Sequence, residues 1–558
     1  MSDRLLNACR QVAKRVNFPK SVIFFVALIF GLNVYSFRAY AIFLDGYGYY
    51  SLRGETLTNP GFAGNKGTYQ AVRQNFYLVG ETRLNDRLSF FLGIRLFDDP
   101  RSAYLGDTPQ KRSQECLPQQ TDEQGNILPG EDHSCEHQST ADPRYAPYTP
   151  KITEAYAQFA FDYCLLQVGR RSRDWGIGIF QSSGKKPWDT DASIYDGVTC
   201  NVNIQKAQAL GFSVGWDKLA ETGVSHIPNR EVLPKDESSY RYGPTNRSDD
   251  VDQYFFTIEY DDRKVNAGAA FTKQIGIYFA NIVETQSKTD LKYFDLFTGF
   301  YFYDLALRNE ILFRVNKSGD PSWFAYGGAQ LSESDDAPNR LDSIGLAGDL
   351  SYTISKQGAA IGPSEYREGN IEAHIVFMEY AYAPGDADGY YNVDDDSATP
   401  GPISIAKRNN KVATIAFHRN YKPAMIFFNG GPEIDDLKVD GVFDPARVMN
   451  ASLLALGYRY ESYSIGNIEA KLITARLLQK MPAEVMEYYS DKDQRPMGFW
   501  GKQQLGYELD LNYRYFWGKE VEAGLGAAAA LPQKTWQTLK GESPTYSLLL
   551  RADLAFKF

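Results

Sequence analysis

"QLGYELDLNYRYFW", residues 504–517, is two sequences interleaved. Leu505, Tyr507, Leu509, Leu511, Tyr513 and Tyr515 alternate with Gln504, Gly506, Glu508, Asp510, Asn512 and Arg514. An extended chain turns successive side chains to opposite faces, so this stretch predicts a strand with one greasy and one charged side. A helix would scatter both sets around its circumference.

The pattern recurs along the chain. Leu88, Phe90, Leu92, Ile94 and Leu96 oppose Ser89, Gly93 and Arg95. Val265, Ala267, Ala269 and Phe271 oppose Asn266, Gly268 and Thr272, which predicts a strand over 264–280. Ile311, Phe313 and Val315 stand against Arg308, Glu310 and Arg314. At the end of the sequence Leu548, Leu550, Ala552, Leu554, Phe556 and Phe558 oppose Arg551, Asp553 and Lys557. Strands of this kind number about eighteen between residues 42 and 558. Their connections alternate between tight turns and long polar stretches, the long ones including 98–150, 174–191, 221–250 and 383–447. The segment 410–418, "NKVATIAFH", is extended in pattern but is assigned to the last of these, because a lone extra strand would make the number odd.

The bulk composition agrees. The 558 residues include 38 Tyr, 34 Phe and 47 Gly but only 5 Cys and 7 Met, with a formal net charge of -10. Aromatic and Gly excess fits strands and turns better than helices, and an acidic chain disfavours nucleic-acid partners. A soluble sandwich also has one apolar face per strand, but its outer faces are fairly uniformly polar. Here charged faces persist strand after strand beside apolar ones, and aromatics gather at strand ends. In lipid only a closed barrel satisfies a strand's backbone. The expected fold is therefore all-β, a transmembrane antiparallel up-and-down barrel of about eighteen strands, with short periplasmic turns and long external loops.

Residues 1–41 predict a secretory signal peptide. Arg4, Arg10, Lys14, Arg15 and Lys20 precede the short apolar run "SVIFFVALIFGLNVY", and "AYA" closes it at 39–41. An uncleaved anchor is the alternative, supported by Arg38 beside the cut. Export permits disulfides, and Cys116–Cys135 is the expected pair; "DHSCEH" leaves open a metal site on His133, Cys135 and His137. Cys164 and Cys200 receive no role.

The ending resembles the assembly signal of Gram-negative outer-membrane porins, in which alternate apolar residues lead to a terminal Phe; Phe556 and Phe558 fill that place. The segments "EAYAQFAFDYCLLQVGRRSRDWGIGIF" (154–180) and "QLGYELDLNYRYFWGKEVEAGLGAAAALP" (504–532) are similar to large single-chain barrels of deltaproteobacteria, and more distantly to alginate-export porins. The resemblance implies a passive or gated pore, the barrel-assembly machinery as a partner, and outer-membrane lipid and lipopolysaccharide around the wall.

Arg95, Arg171, Arg173, Arg308, Glu310, Arg314, Glu508, Asp510, Arg514, Arg551 and Asp553 fall on the charged faces and are the candidate pore lining. Such charges either pair across the lumen or select small hydrophilic solutes at its narrowest point. An eighteen-strand barrel is wide, so something should fold inward. The long stretch 383–447 is the candidate, because Ile415, Phe417, Tyr421, Met425, Ile426, Phe427 and Phe428 would not ordinarily sit exposed. They form either a lid in the mouth or a partner site. Asp386, Asp388 and Asp394 in the same stretch are a candidate Ca²⁺ site. "GRRSRDWGIG" lacks the spacing that cradles a phosphate, and no catalytic constellation stands out, so no enzyme is expected. Two functions follow: a diffusion pore for hydrophilic solutes, or a barrel whose large external loops bind other surfaces.

Overall fold

The computed structural model describes residues 43–59, 68–96, 104–105, 151–189, 192–203, 209–219, 251–263, 265–266, 269–284, 289–318, 339–340, 343–357, 372–385, 415–418, 420–429, 447–479, 504–533 and 545–558. Residues 1–41, expected to be a signal peptide, lie outside them, as do Cys116, Cys135, Asp386, Asp388 and Asp394. The described residues form twenty strands and no helix: β1 (Phe43–Thr58), β2 (Thr68–Asn85), β3 (Leu88–Leu96), β4 (Tyr104–Leu105), β5 (Lys151–Ala160), β6 (Leu165–Ser172), β7 (Ile194–Asn203), β8 (Leu210–Leu219), β9 (Val251–Asp261), β10 (Phe271–Glu284), β11 (Thr289–Phe302), β12 (Leu305–Ser318), β13 (Asn339–Arg340), β14 (Ser343–Gln357), β15 (Glu372–Ala383), β16 (Ala451–Ser462), β17 (Gly466–Leu477), β18 (Gln504–Trp517), β19 (Val521–Pro532) and β20 (Ser547–Lys557). Two of them, β4 and β13, are two-residue extensions on the edges of β2 and β12. The other eighteen pair antiparallel with their neighbours, and β1 pairs with β20, so the sheet closes on itself. Closure leaves no wall strand with an open edge.

The closing seam is fastened at both ends. At the short-turn end, Gly48 N–H donates to Phe558 O at 2.8 Å and Phe558 N–H donates to Gly48 O at 3.0 Å. The Phe558 ring leans on Phe76, with centroids 6.2 Å apart. At the long-loop end, the Asn59 amide donates to the carbonyls of Thr545 and Tyr546, both at 3.2 Å.

The two faces of the wall differ as period-two alternation requires. Leu92, Val214, Leu456, Leu472, Leu511, Leu525 and Leu550 point outward and are 48–63% exposed. Inward neighbours such as Arg95, Asp217, Asp295, Glu310, Glu508 and Asp510 are at most 1% exposed. An apolar belt of this extent is not a surface that water tolerates well. It suits the hydrocarbon of a bilayer, where a closed barrel satisfies every backbone group.

Two local departures have physical causes. The expected strand 264–280 begins at Phe271 instead. Val265 and Asn266 N–H groups both donate to Asp262 O, at 3.1 and 2.7 Å, so this stretch is hydrogen-bonded as a turn. The second is Leu505, which shares parity with the outward Tyr507 yet is fully buried among luminal side chains. The pairing of β17 with β18 steps from Ala475↔Gly506 to Arg476↔Gln504, leaving Leu505 as an extra residue. Gly506 takes φ +152°, which an L side chain rarely adopts, and this bulge turns Leu505 inward. Cys164 and Cys200, on either side of the β6–β7 pairing, form a disulfide with a Cα–Cα distance of 5.7 Å.

Candidate functional site: two loops that cross the lumen

Two connections from the long-loop end fold into the barrel. Loop A joins β6 to β7 through residues 173–193. Loop B joins β15 to β16, and its described residues are 384–385, 415–418, 420–429 and 447–450. Ile415, Phe417, Ala424, Met425, Ile426, Phe427 and Phe428 of loop B pack into one apolar cluster with Trp175, Ile179 and Phe180 of loop A. Wall residues Tyr195, Phe255, Tyr278 and Tyr293 complete it. The apolar residues of 415–428 are therefore luminal.

Each loop hangs on a buried wall glutamate. On β12, Glu310 accepts from four successive loop A N–H groups: Ile177 at 2.5 Å, Gly178 at 3.0 Å, Ile179 at 3.5 Å and Phe180 at 3.3 Å. On β18, Glu508 accepts from Met425 at 2.8 Å, Ile426 at 2.6 Å and Phe427 at 2.7 Å. Asp510 takes a second bond from Met425 N–H at 3.1 Å. Successive N–H groups converging on one point make an anion nest, and here the protein supplies the anion. Loop A's nest needs Gly176, whose φ is +57° and whose Cβ, were there one, would lie 2.3 Å from a Glu310 oxygen.

Loop A is tied along its whole length. The Trp175 indole donates to Asp295 on β11 at 2.8 Å. Farther on, Lys185 meets Glu154 of β5 at 2.5 Å, Ser51 of β1 donates to Pro187 O at 2.8 Å, and Trp188 donates to Glu522 of β19 at 3.1 Å. Around the ring, β12 and β1 are separated by eight of a possible nine strand steps, so loop A bridges nearly opposite walls. Its base is held by Arg173, which bonds Asp217 at 2.9 Å and stacks on Phe255 at 3.9 Å. Arg171 bonds the same carboxylate at 2.7 Å.

Loop B touches loop A directly. His418 N–H donates to Ile179 O at 2.9 Å, and the Asn420 amide donates to Ser182 Oγ at 3.0 Å. Lys422 then extends toward Arg73, Arg53 and Glu55 of the wall and Asp189 of loop A. Burial, with the Arg73 and Arg53 guanidiniums beside it, pushes its ammonium down to about 7.

Ten of the eleven candidate lining residues lie on the inward face of the wall and Arg173 at the root of loop A, in different roles. Glu310, Glu508 and Asp510 hold loop backbone. Arg171 and Arg173 brace loop A. Arg95 is buried beside the Tyr77 ring, 5.8 Å from its centroid, and Arg314 is buried on β12. The rest form ion pairs: Arg308 with Asp349 at 2.8 Å, Arg514 with Glu522 at 3.4 Å, Arg551 with Asp553 at 3.3 Å, and Arg53 with Asp553 at 2.8 Å. Inward residues absent from the expected set include Asp295, Arg53 and Glu55. Alternation alone would have found them. No group of three or more potential metal ligands occurs among the described residues.

No family model matches the chain, and no curated protein does. Three Pseudomonas aeruginosa crystal structures are similar in course. OccK9 (OpdG) has a TM-score of 0.44 at 12% identity, over 92% of this chain and 99% of its own. The outer membrane protein OpdK has 0.42 at 11%, over 92% and 99%. OccK5 (OpdH) has 0.41 at 11%, over 92% and 98%. The barrel assignment itself rests on the closed strand pairing of this chain.

Proposed function

We propose that this protein is an outer-membrane channel through which small hydrophilic solutes diffuse along a charged lumen narrowed by loops A and B. The single observation that carries the reading is the inversion of the wall: apolar side chains exposed outside, ion pairs and backbone-binding carboxylates inside. A soluble protein would place these the other way round. The apolar belt supports residence in a bilayer, with outer-membrane lipid and lipopolysaccharide as its surroundings. The N-terminal pattern supports export through cleavage near Ile42, and the Phe558 clasp suits a role in assembly. A barrel with both faces so defined needs no cofactor for passive transport.

Liposome swelling tests the reading. Vesicles containing the protein should swell at rates that fall as the solute grows larger. The alternative, a surface-binding barrel with no transport role, predicts no size-dependent entry, and that result would sink the channel.

A further inference from the structure

Around its short-turn end, the lumen has two unlike halves. From β12 to β20 its inward side chains form ion pairs: Arg308–Asp349, Arg459–Glu469 at 2.7 Å, Arg514–Glu522, and Lys557–Glu522 at 3.1 Å. From β1 to β7 the inward positions near this end include aromatic rings and neutral amides. Phe91 and Tyr156, opposite each other on β3 and β5, stack with centroids 4.6 Å apart and planes at 11°. Tyr47 stands beside them at 48% exposure. Next to the rings runs an amide ladder across three strands. Gln167 Nε2 donates to Gln158 Oε1 at 3.0 Å, and Asn201 Nδ2 donates to Gln167 Oε1 at 3.2 Å. The charges at the border of this half are mostly paired, Glu81 with Arg83 at 2.6 Å and Glu154 with Lys185 at 2.5 Å, with Asp45 opposite Glu81.

We propose that this ring-and-amide half is a binding track for neutral hydroxylated rings, that is, sugars. The proposal rests on the channel reading and names a solute class for it. A sugar hydroxyl both donates and accepts, and so does a primary amide, which carries two donors and two acceptor lone pairs. The ladder uses one donor each from Gln167 and Asn201, so capacity for hydroxyl partners remains. The C–H face of a pyranose carries slight positive charge and suits the negative face of an aromatic ring. An ion meets fewer charged side chains here than on the opposite half, where they recur strand after strand. Partly exposed rings beside paired amides are also an unusual way to line an aqueous wall unless something stacks on them.

The test is sugar block of ion current through the full-length protein in planar bilayers, with D-glucose and maltose as probes. Wild type should show concentration-dependent current reduction. The double variant Phe91→Leu/Tyr156→Leu should raise the half-blocking concentration about tenfold, and Gln167→Leu about threefold, each near one good contact. Phe91→Tyr should retain block. Arg459→Gln, on the ionic half, should leave sugar block unchanged while shifting ion selectivity. Heat-modifiable migration on gels checks that each variant is a folded barrel. Conduction without sugar block, or equal block in wild type and the double variant, overturns the track and leaves the channel standing. Absence of both conduction and liposome swelling overturns the channel instead. Calorimetric titration of glucose into the detergent-solubilised protein then decides the track: heat lost in the double variant supports it, and no heat in wild type overturns it.

Discussion

Loops A and B occupy one lumen but are held in different ways. Loop A is a beam. It is tied to β11 and β12 at Asp295 and Glu310 and, nearly opposite, to β1, β5 and β19. Loop B is a wedge. Its polar ties to the wall include the Glu508–Asp510 pair and Tyr421, whose hydroxyl donates to Tyr380 O at 3.5 Å, with Lys422 beside Glu55; it also bonds loop A through His418 and Asn420, and apolar packing adds the rest of its hold. A beam adds to the barrel's rigidity, whereas a wedge can leave without breaking the ring. The barrel should therefore depend more on loop A than on loop B.

Removing the wedge tests its independence from the wall most directly. Deleting 408–430 should leave a folded, heat-modifiable barrel with a single-channel conductance about twofold or more above wild type. Deleting 175–189 should instead reduce the yield of folded barrel, since it cuts ties to five strands. Unchanged conductance in the first variant would mean that loop B does not limit the pore.

The glutamates give the next test. Glu310→Ala strands four loop N–H groups, and each buried orphan costs about 1–3 kcal/mol. Glu508→Ala strands fewer, because Met425 keeps its bond to Asp510. Glu310→Ala should therefore lower the denaturation midpoint more than Glu508→Ala does, and should expose loop A to protease. Equal effects of the two would remove the distinction between beam and wedge. A smaller version is Trp175→Phe, which keeps the ring and loses the bond to Asp295, costing about 1 kcal/mol.

The wall was legible in the sequence because strand alternation depends only on local order, and eighteen strands with inward Arg, Glu and Asp follow from it. Loop B announced itself by apolar residues in a polar setting. Loop A carried the same signal in Trp175, Ile177, Ile179, Phe180 and Trp188 but reads as one more polar connection when its charges dominate. "GRRSRDWGIG" lacks phosphate-loop spacing, yet its backbone does cradle an anion: the Glu310 carboxylate. Its partner lies 133 residues away from Ile177, and no local pattern encodes that distance. The Leu505 bulge was hidden for a related reason, because alternation counts residues and a bulge adds one; the adjacent Gly506 was the one visible hint. The disulfide was equally remote, since pairing Cys164 with Cys200 requires knowing that their strands are neighbours.

The smallest expected effect concerns the point where wedge and wall meet. Lys422 ionises near 7, well below the ~10.4 of a free lysine, because it is buried beside Arg73 and Arg53, with Glu55 and Asp189 partly offsetting them. Between about pH 7 and pH 10 the unfolded chain holds a proton there that the folded chain lacks, so stability contributed by this site rises with pH across that window. It is lost as the pH falls from about 10 to about 7, where the buried amine takes up its proton. The same proton adds a positive charge to the constriction. Wild type should then favour anions more at pH 6 than at pH 8, by less than about twofold in permeability ratio. Lys422→Met mimics the neutral amine, so it should match wild type at pH 8 and lose the change at pH 6. If the variant kept the full pH response, the titrating charge would lie elsewhere on the wall, and loop B would narrow the lumen without setting its charge.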